Sequence, residues 1–160
     1  RVQHRAQSDA GIHRRFVISR RIVLDANILI RAMLGVKVGG LLAKYANTVE
    51  FCAPAIAFED ANAHLPAIMA KRGIGRAELS LGLDAVRILV EEVPPEVTEP
   101  RRAEALRRIG RRDPDDWPII AAALALDCPI WTEDKDFFGA GMATWTSDLV
   151  EIYLLGDTTP

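Results

Sequence analysis

Residues 111–137 read RRDPDDWPIIAAALALDCPIWTEDKDF, and this stretch decides the fold that we expect. Proline lacks an amide proton and is tolerated only in the first turn of a helix, so Pro118 predicts a helix that begins beside it. Residues 119–126 are apolar on every face, which is typical of a helix buried between other elements. A short strand is predicted over residues 128–132. Acidic clusters precede the helix and follow the strand: Asp113, Asp115 and Asp116, then Glu133, Asp134 and Asp136.

The rest of the chain alternates short apolar strands with helices. Residues 21–24, 49–53 and 143–146 are predicted strands. Residues 76–92 have the apolar periodicity of one helix. The segment VPPEV, residues 93–97, predicts a linker or a short edge strand, because two prolines exclude it from a central position. This alternation predicts an α/β fold, a three-layer α/β/α sandwich around a mostly parallel sheet.

Three local signals refine the helix boundaries. Pro54 is expected in the first turn of a helix, and Pro66 is expected to kink or restart that helix. Asp148 and Glu151 have capping-box spacing and predict a closing helix over residues 148–155.

Length and composition predict one cytoplasmic domain. The chain has 160 residues, enough for a substantial core, and a net charge of −2, so a polyanion would have to meet a local basic patch. Cys52 and Cys128 lie in apolar runs and are interpreted as reduced core thiols, as in cytosolic proteins. No apolar run approaches the roughly 20 residues that span a bilayer, so no membrane partner is expected. The domain is expected over residues 21–155, and residues 156–160 form a tail.

The first 20 residues form a basic arm or leader. They carry five arginines against one aspartate and are expected to lie disordered outside the fold. The alternative is an arm that contacts a partner.

Four carboxylates fall where a parallel sheet gathers its functional groups: Asp25, Glu59, Asp116 and Asp134. Each alone has a simpler interpretation, as a helix cap, a solvated helix residue or a turn residue. Together they would repel one another and raise each other's pKa values. A divalent cation would balance them, and Mg²⁺ or Mn²⁺ fits because both prefer carboxylates and water and leave positions for phosphate oxygens.

Two neighbouring aspartates are further candidates. Asp136 is the stronger, because it lies two residues after Asp134. Asp113 precedes Pro114 and is expected to be extended and solvated, with an outer-ligand role as the alternative.

The ordered set of these motifs resembles the PIN domain family over residues 21–155. The motifs are Asp25-x-Asn27 after the first strand, Glu59 in a helix, Asp116 followed by IIAAALAL, and TEDKDF at residues 132–137. The family comprises metal-dependent ribonucleases, among them the VapC-like toxins of toxin–antitoxin pairs. The resemblance implies the following roles: Asp25, Glu59, Asp116 and Asp134 as catalytic and metal-ligating residues, Asp136 as an assisting ligand, and Asn27 and Thr132 as hydrogen-bonding support.

The same resemblance implies the reaction and the partners. The reaction would be hydrolysis of RNA phosphodiester bonds by water that one or two Mg²⁺ or Mn²⁺ ions activate. A homodimer is expected, and an antitoxin protein is expected if the chain is a toxin. An arginine patch is interpreted either as a solvated helix face or as a contact for the RNA backbone: Arg107, Arg108, Arg111 and Arg112.

Two other classes of function compete with the nuclease. One is a non-catalytic PIN-like module that binds RNA or protein. The other is a receiver-like phosphoacceptor, which needs a lysine after a later strand, and Lys135 matches that position poorly. The chain has no G-x-S-x-G elbow, Walker loop or G-x-G-x-x-G motif, so hydrolase and nucleotide-fold classes based on them have no support.

Overall fold

The computed structural model describes residues 20–156, apart from the side chains of residues 79–81. Within that range a five-stranded sheet has the order β3-β2-β1-β4-β5. Every pairing is parallel, with Val23 opposite both Cys52 and Ile130. The strands are β1 (Arg20–Leu24), β2 (Val49–Pro54), β3 (Val90–Val93), β4 (Ile130–Trp131) and β5 (Thr144–Trp145).

The helices divide into two groups that pack on the sheet. The first comprises α1 (Ala26–Leu34), α2 (Val36–Tyr45), α3 (Ala55–Lys71) and α4 (Arg76–Leu89). The second comprises α5 (Pro95–Thr98), α6 (Arg102–Ile109) and α7 (Trp117–Leu126), and α8 (Val150–Leu155) closes the domain. Helix α1 packs against α3 and α4, whereas α7 packs against α5, α6 and strands β1 and β2. The predicted α/β fold with a central parallel sheet is confirmed.

The buried core includes residues of the sheet, of helices α1 to α3 and of helix α7. Residues 118–123 of α7 are all buried, as its uniform apolar sequence predicts. Phe51 of β2 and Trp131 of β4 are fully buried, and their ring centroids lie 6.3 Å apart. Burial of each apolar side chain of this size contributes about 1.5–3 kcal/mol to the free energy of unfolding. This packing fixes the start of α7 at the carboxyl edge of the sheet.

The predicted helix over residues 76–92 is too long. Helix α4 ends at Leu89, and residues 90–93 form the edge strand β3. Val90 and Val93 are buried where β3 pairs with β2. This pairing outweighs the local helical periodicity, because strand formation depends on neighbours distant in sequence. Residues 93–97, predicted as a linker or a short edge strand, divide instead between two elements: Val93 ends β3, and Pro95 begins α5.

Two further boundary predictions are wrong, and a third is wrong in part: α3 does not restart at Pro66, whereas a kink there stays a prediction. Pro54 ends β2 and lies just before α3. Pro66 lies inside α3 without ending it, on an exposed face where water can satisfy the carbonyl that loses its partner. Asp148 and Glu151 form no capping box: α8 begins at Val150, and both carboxylates bind lysines of α2.

The predictions for the chain ends lie almost wholly outside residues 20–156. Arg20, the last residue of the predicted arm, begins β1. Within the described residues no single helix is long and apolar enough to cross a membrane, and α1 with α2 meets that criterion only as a pair bent by 100°. Cys52 and Cys128 are buried free thiols, and burial raises their pKa values to about 12 and about 11.

Candidate metal centre

Asp25 lies at the carboxyl end of β1 and is only 7% exposed. Its Oδ2 accepts hydrogen bonds from the Thr132 hydroxyl at 2.6 Å and from Asn27 Nδ2 at 3.2 Å. Burial raises the pKa of Asp25, and the negative charge of Asp134 raises it further, whereas the Thr132 bond opposes the shift. The structure thus brings the carboxylate and both predicted supporting residues together at one strand end.

Three more aspartates converge at the start of α7. A 3₁₀ turn over Pro114–Asp116 folds the chain back, and the Asp116 amide donates to the Asp113 carbonyl at 3.1 Å. One carboxylate oxygen from each of Asp113, Asp116 and Asp134 lies within 4.8 Å of the other two. Burial, followed by the charges of Asp25 and Asp113, raises the pKa of Asp116 to about 8. We call Asp25, Asp113, Asp116 and Asp134 the acid cluster.

The Thr132 hydroxyl joins the two halves of the acid cluster. It donates to Asp25 and accepts from the Asp134 amide at 2.9 Å. The Asp134 carboxylate in turn accepts from the Asp136 amide at 2.9 Å. Thr132 is fully buried, so water does not compete for these bonds. The orientation of Asp25 therefore depends on the same hydroxyl as the backbone of Asp134.

Two predicted ligands lie beside the acid cluster. Asp136 is half-buried, and its amide rather than its carboxylate contacts Asp134. Glu59 is exposed on α3 and lines a cavity of about 490 Å³ together with Asp115 and Trp117. The structure therefore brings three of the four predicted catalytic carboxylates close together, whereas Glu59 lines the neighbouring cavity, which none of those three lines.

Asp113 is the site residue that the sequence interpretation undervalued. Its carboxylate belongs to the acid cluster, although we expected an extended, solvated residue. The available signal was the spacing: Asp116 lies three positions after Asp113, across Pro114, and a 3₁₀ turn brings positions i and i+3 onto the same side.

The donor set of the acid cluster fits a hard divalent cation. All its ligand atoms are carboxylate oxygens, which Mg²⁺ and Mn²⁺ prefer. The raised pKa of Asp116 shows that its negative charge is under-compensated by the protein. In the described residues, Asn27 Oδ1 is a buried oxygen without a hydrogen-bond partner, next to Asp25. A second group, Glu50, Cys52 and Glu91, also lies within 4.8 Å, but Arg21 already pairs with Glu50 at 2.8 Å.

The four arginines of the patch differ in the contacts that their side chains make. Arg107 and Arg108 both form ion pairs with Glu104. Arg108 and Arg112 also donate to main-chain carbonyls of residues 136–141. Arg111 is exposed.

Comparison with known proteins identifies relatives by sequence pattern and by fold. A family model described as PIN domain matches residues 23–155. No curated protein matches the chain. The crystal structure of PAE2754 from Pyrobaculum aerophilum is similar at a TM-score of 0.63 and 14% identity, over 86% of this chain and 90% of that one.

Two further solved structures are similar. VapBC2 from Rickettsia felis, bound to a DNA fragment from their promoter, has a TM-score of 0.55 and 15% identity, over 79% of this chain and 98% of that one. FitAB bound to an IR36 DNA fragment has a TM-score of 0.47 and 18% identity, over 79% of this chain and 94% of that one.

Proposed function

Because the chain belongs to the PIN domain family, we propose that it is a ribonuclease whose acid cluster holds Mg²⁺ or Mn²⁺. The observation that carries this proposal is the set of three carboxylate oxygens, from Asp113, Asp116 and Asp134, within 4.8 Å of one another. Such a set is costly without a counter-charge, since like charges at this distance oppose each other's ionisation. A hard cation removes this cost and also brings a substrate phosphate to the same place.

Each residue of the acid cluster has a definable task in this proposal. Asp25, Asp116 and Asp134 would hold the cation, with Asp113 as a ligand on the open side and Asp136 assisting. When bound, the cation lowers the pKa of water and stabilises charge on the leaving oxygen. Thr132 and Asn27 hold the Asp25 carboxylate in one orientation. Glu59, on the wall of the adjacent cavity, would be a further ligand or would orient water.

For RNA contact we propose the arginine patch, with Arg107 and Arg111 directed at backbone phosphates. Both residues are exposed, and Arg107 also pairs with Glu104 at the surface. Such contacts give affinity that falls with salt and does not depend on base sequence. Arg108 and Arg112 are held on main-chain carbonyls, so their part in RNA binding is secondary.

We further propose an antitoxin partner, a homodimer and action in the cytoplasm. The similarity in fold to VapBC2 supports the proposal of an antitoxin partner. Exposed apolar side chains on α8, Ile152 and Leu155, support a protein contact on that helix. The two buried free thiols support a reducing compartment.

Replacement of Asp116 or Asp25 by Asn tests the nuclease proposal. We expect each variant to lose Mn²⁺- and Mg²⁺-dependent cleavage of a fluorescent single-stranded RNA, because a ligand and its charge are removed. Asp115→Asn is the matched control, since Asp115 is exposed in the same turn and outside the acid cluster, and it should keep cleaving. Cleavage by both Asn variants at the unaltered rate would refute the proposal. RNA binding without cleavage by the unaltered chain would favour the non-catalytic module instead.

A further inference from the structure

Two arginines hold the loop that follows the acid cluster. Arg112 Nη1 donates to the carbonyls of Asp136, at 3.2 Å, and of Phe138. Arg108 Nη1 donates to the carbonyls of Ala140, at 3.3 Å, and of Gly141, at 3.2 Å. Two guanidinium groups near the end of α6 thus bind four carbonyls within residues 136–141, which we call the acid loop.

The two glycines of the acid loop lie directly against these guanidinium groups. Gly139 has φ +88° and Gly141 has φ +76°, a region that glycine enters without steric cost. A Cβ atom would lie 3.1 Å from Arg112 Nη2 at position 139 and 2.6 Å from Arg108 Nη1 at position 141. The close approach of the loop to both arginines therefore depends on residues without a side chain.

A series of hydrogen bonds, joined through residues Asp136 and Asp134, connects Arg112 to Asp25. Arg112 binds the Asp136 carbonyl, and the Asp136 amide donates to Asp134 Oδ1 at 2.9 Å. The Asp134 amide donates to the Thr132 hydroxyl, which donates to Asp25. Rotation of the backbone at Asp136 would therefore withdraw the donor that orients the Asp134 carboxylate.

We propose that Arg112, with Arg108 beside it, is a positioning residue that holds the acid loop so that Asp134 faces Asp113 and Asp116. This inference rests on the proposed metal-dependent function. It assigns to these two arginines a different task from Arg107 and Arg111. Outer partners that orient metal ligands typically change metal affinity by roughly 10–100-fold when they are removed.

The sign of the effect separates positioning from simple electrostatics. Removing the positive charge of Arg112 would relieve Coulomb repulsion of the cation, and this effect alone would strengthen cation binding. Loss of loop positioning weakens it. We therefore expect Arg112→Gln to raise the Kd for Mn²⁺ by about 10-fold in isothermal titration calorimetry on the metal-free full chain.

Arg111→Gln is the matched control, because it removes the same charge from the next residue. It should leave the Kd for Mn²⁺ within about twofold and should lower the salt dependence of RNA binding, with a slope of log K against log salt smaller by roughly one. RNA binding is measured in EDTA by fluorescence anisotropy, so that no cleavage interferes. Arg112→Gln should lower that slope less than Arg111→Gln does, and Arg112→Lys should restore part of the Mn²⁺ affinity.

A second variant tests the loop without altering charge. Gly141→Ala displaces the Arg108 guanidinium and should weaken Mn²⁺ binding in the same direction, while circular dichroism confirms the folded state. Unchanged Mn²⁺ affinity in both Arg112→Gln and Gly141→Ala, with cleavage intact in the unaltered chain, overturns this inference alone. Absence of Mn²⁺ binding and of cleavage in the unaltered chain overturns the proposed function and this inference together.

Discussion

The folded protein disfavours the charged form of the Asp116 carboxylate. Burial is the largest cause, and the charges of Asp25, Asp113 and Asp134 add to it, so its pKa rises from 3.8 to about 8. We expect Asp116→Asn to stabilise the metal-free protein at alkaline pH, because asparagine has a similar shape and carries no charge. The same change should remove the stabilisation that Mn²⁺ confers on the unaltered chain.

The size and the sign of this effect follow from proton linkage. The folded state holds the Asp116 proton more tightly than the unfolded state, so stability falls as pH rises between 3.8 and about 8. Without solvent screening that interval corresponds to roughly 5–6 kcal/mol in the free energy of unfolding. Asp116 is partly exposed, so screening reduces the effect, and we expect about 2 kcal/mol.

Urea unfolding in EDTA at pH 5 and pH 8.5 measures this effect. The advantage of Asp116→Asn should be smaller at pH 5, where part of the loss has already occurred, and should reach about 2 kcal/mol at pH 8.5, which corresponds to a Tm higher by roughly 4–8 °C. Mn²⁺ at about 100 times its Kd should add roughly 2.7 kcal/mol to the unaltered chain and nothing to the variant. Asp115→Asn, the exposed control, should change stability by no more than about 0.5 kcal/mol. An equal gain at both pH values, or a loss at pH 8.5, would refute the linkage argument.

Two further replacements test the core and the support of the site. Ile120→Ala removes a fully buried side chain of α7 and should lower the free energy of unfolding, measured in urea, by about 2–5 kcal/mol. The control Ile152→Ala, on the exposed face of α8, should change the free energy of unfolding by no more than about 0.5 kcal/mol. Equal losses in the two variants would contradict the assigned packing. Thr132→Val leaves the Asp25 carboxylate and the Asp134 amide without the hydroxyl that both bind. It should lower the free energy of unfolding by about 1–3 kcal/mol and weaken Mn²⁺ binding by roughly 10–100-fold. An unaltered Kd for Mn²⁺ in calorimetry would contradict the supporting role of Thr132.

The parallel sheet and its central helix could be predicted because their signals are local. Pro118 marks the first turn of α7, and the apolar residues after it allow no solvent-facing side. Strand β3 gives no such signal, because Leu89 and Val90 continue the apolar stripe of α4. What makes residues 90–93 a strand is their pairing with β2, and that pairing lies outside the segment.

The acid cluster was predictable in outline because parallel strands carry their functional groups at one edge of the sheet. Asp25 and Asp134 follow strands that neighbour each other in the sheet, and Asp116 begins the helix packed beside them. Asp113 was undervalued because its contribution depends on the turn after Pro114. The task of Arg112 has no sequence signal at all, since four arginines in one patch look alike until the acid loop returns to two of them.

The distribution of donors explains where a cation matters most in the acid cluster. Asp25 receives two side-chain hydrogen bonds, and Asp134 receives the Asp136 amide, so the protein itself offsets part of their charge. Asp116 faces the carboxylates of Asp113 and Asp134 instead, and its pKa of about 8 reflects that imbalance. A divalent ion bound there must displace the Asp116 proton at neutral pH, because a carboxylate binds metal only when it is ionised. Folding and protonation are therefore coupled through this one side chain, and the proposed metal binding would be coupled to both.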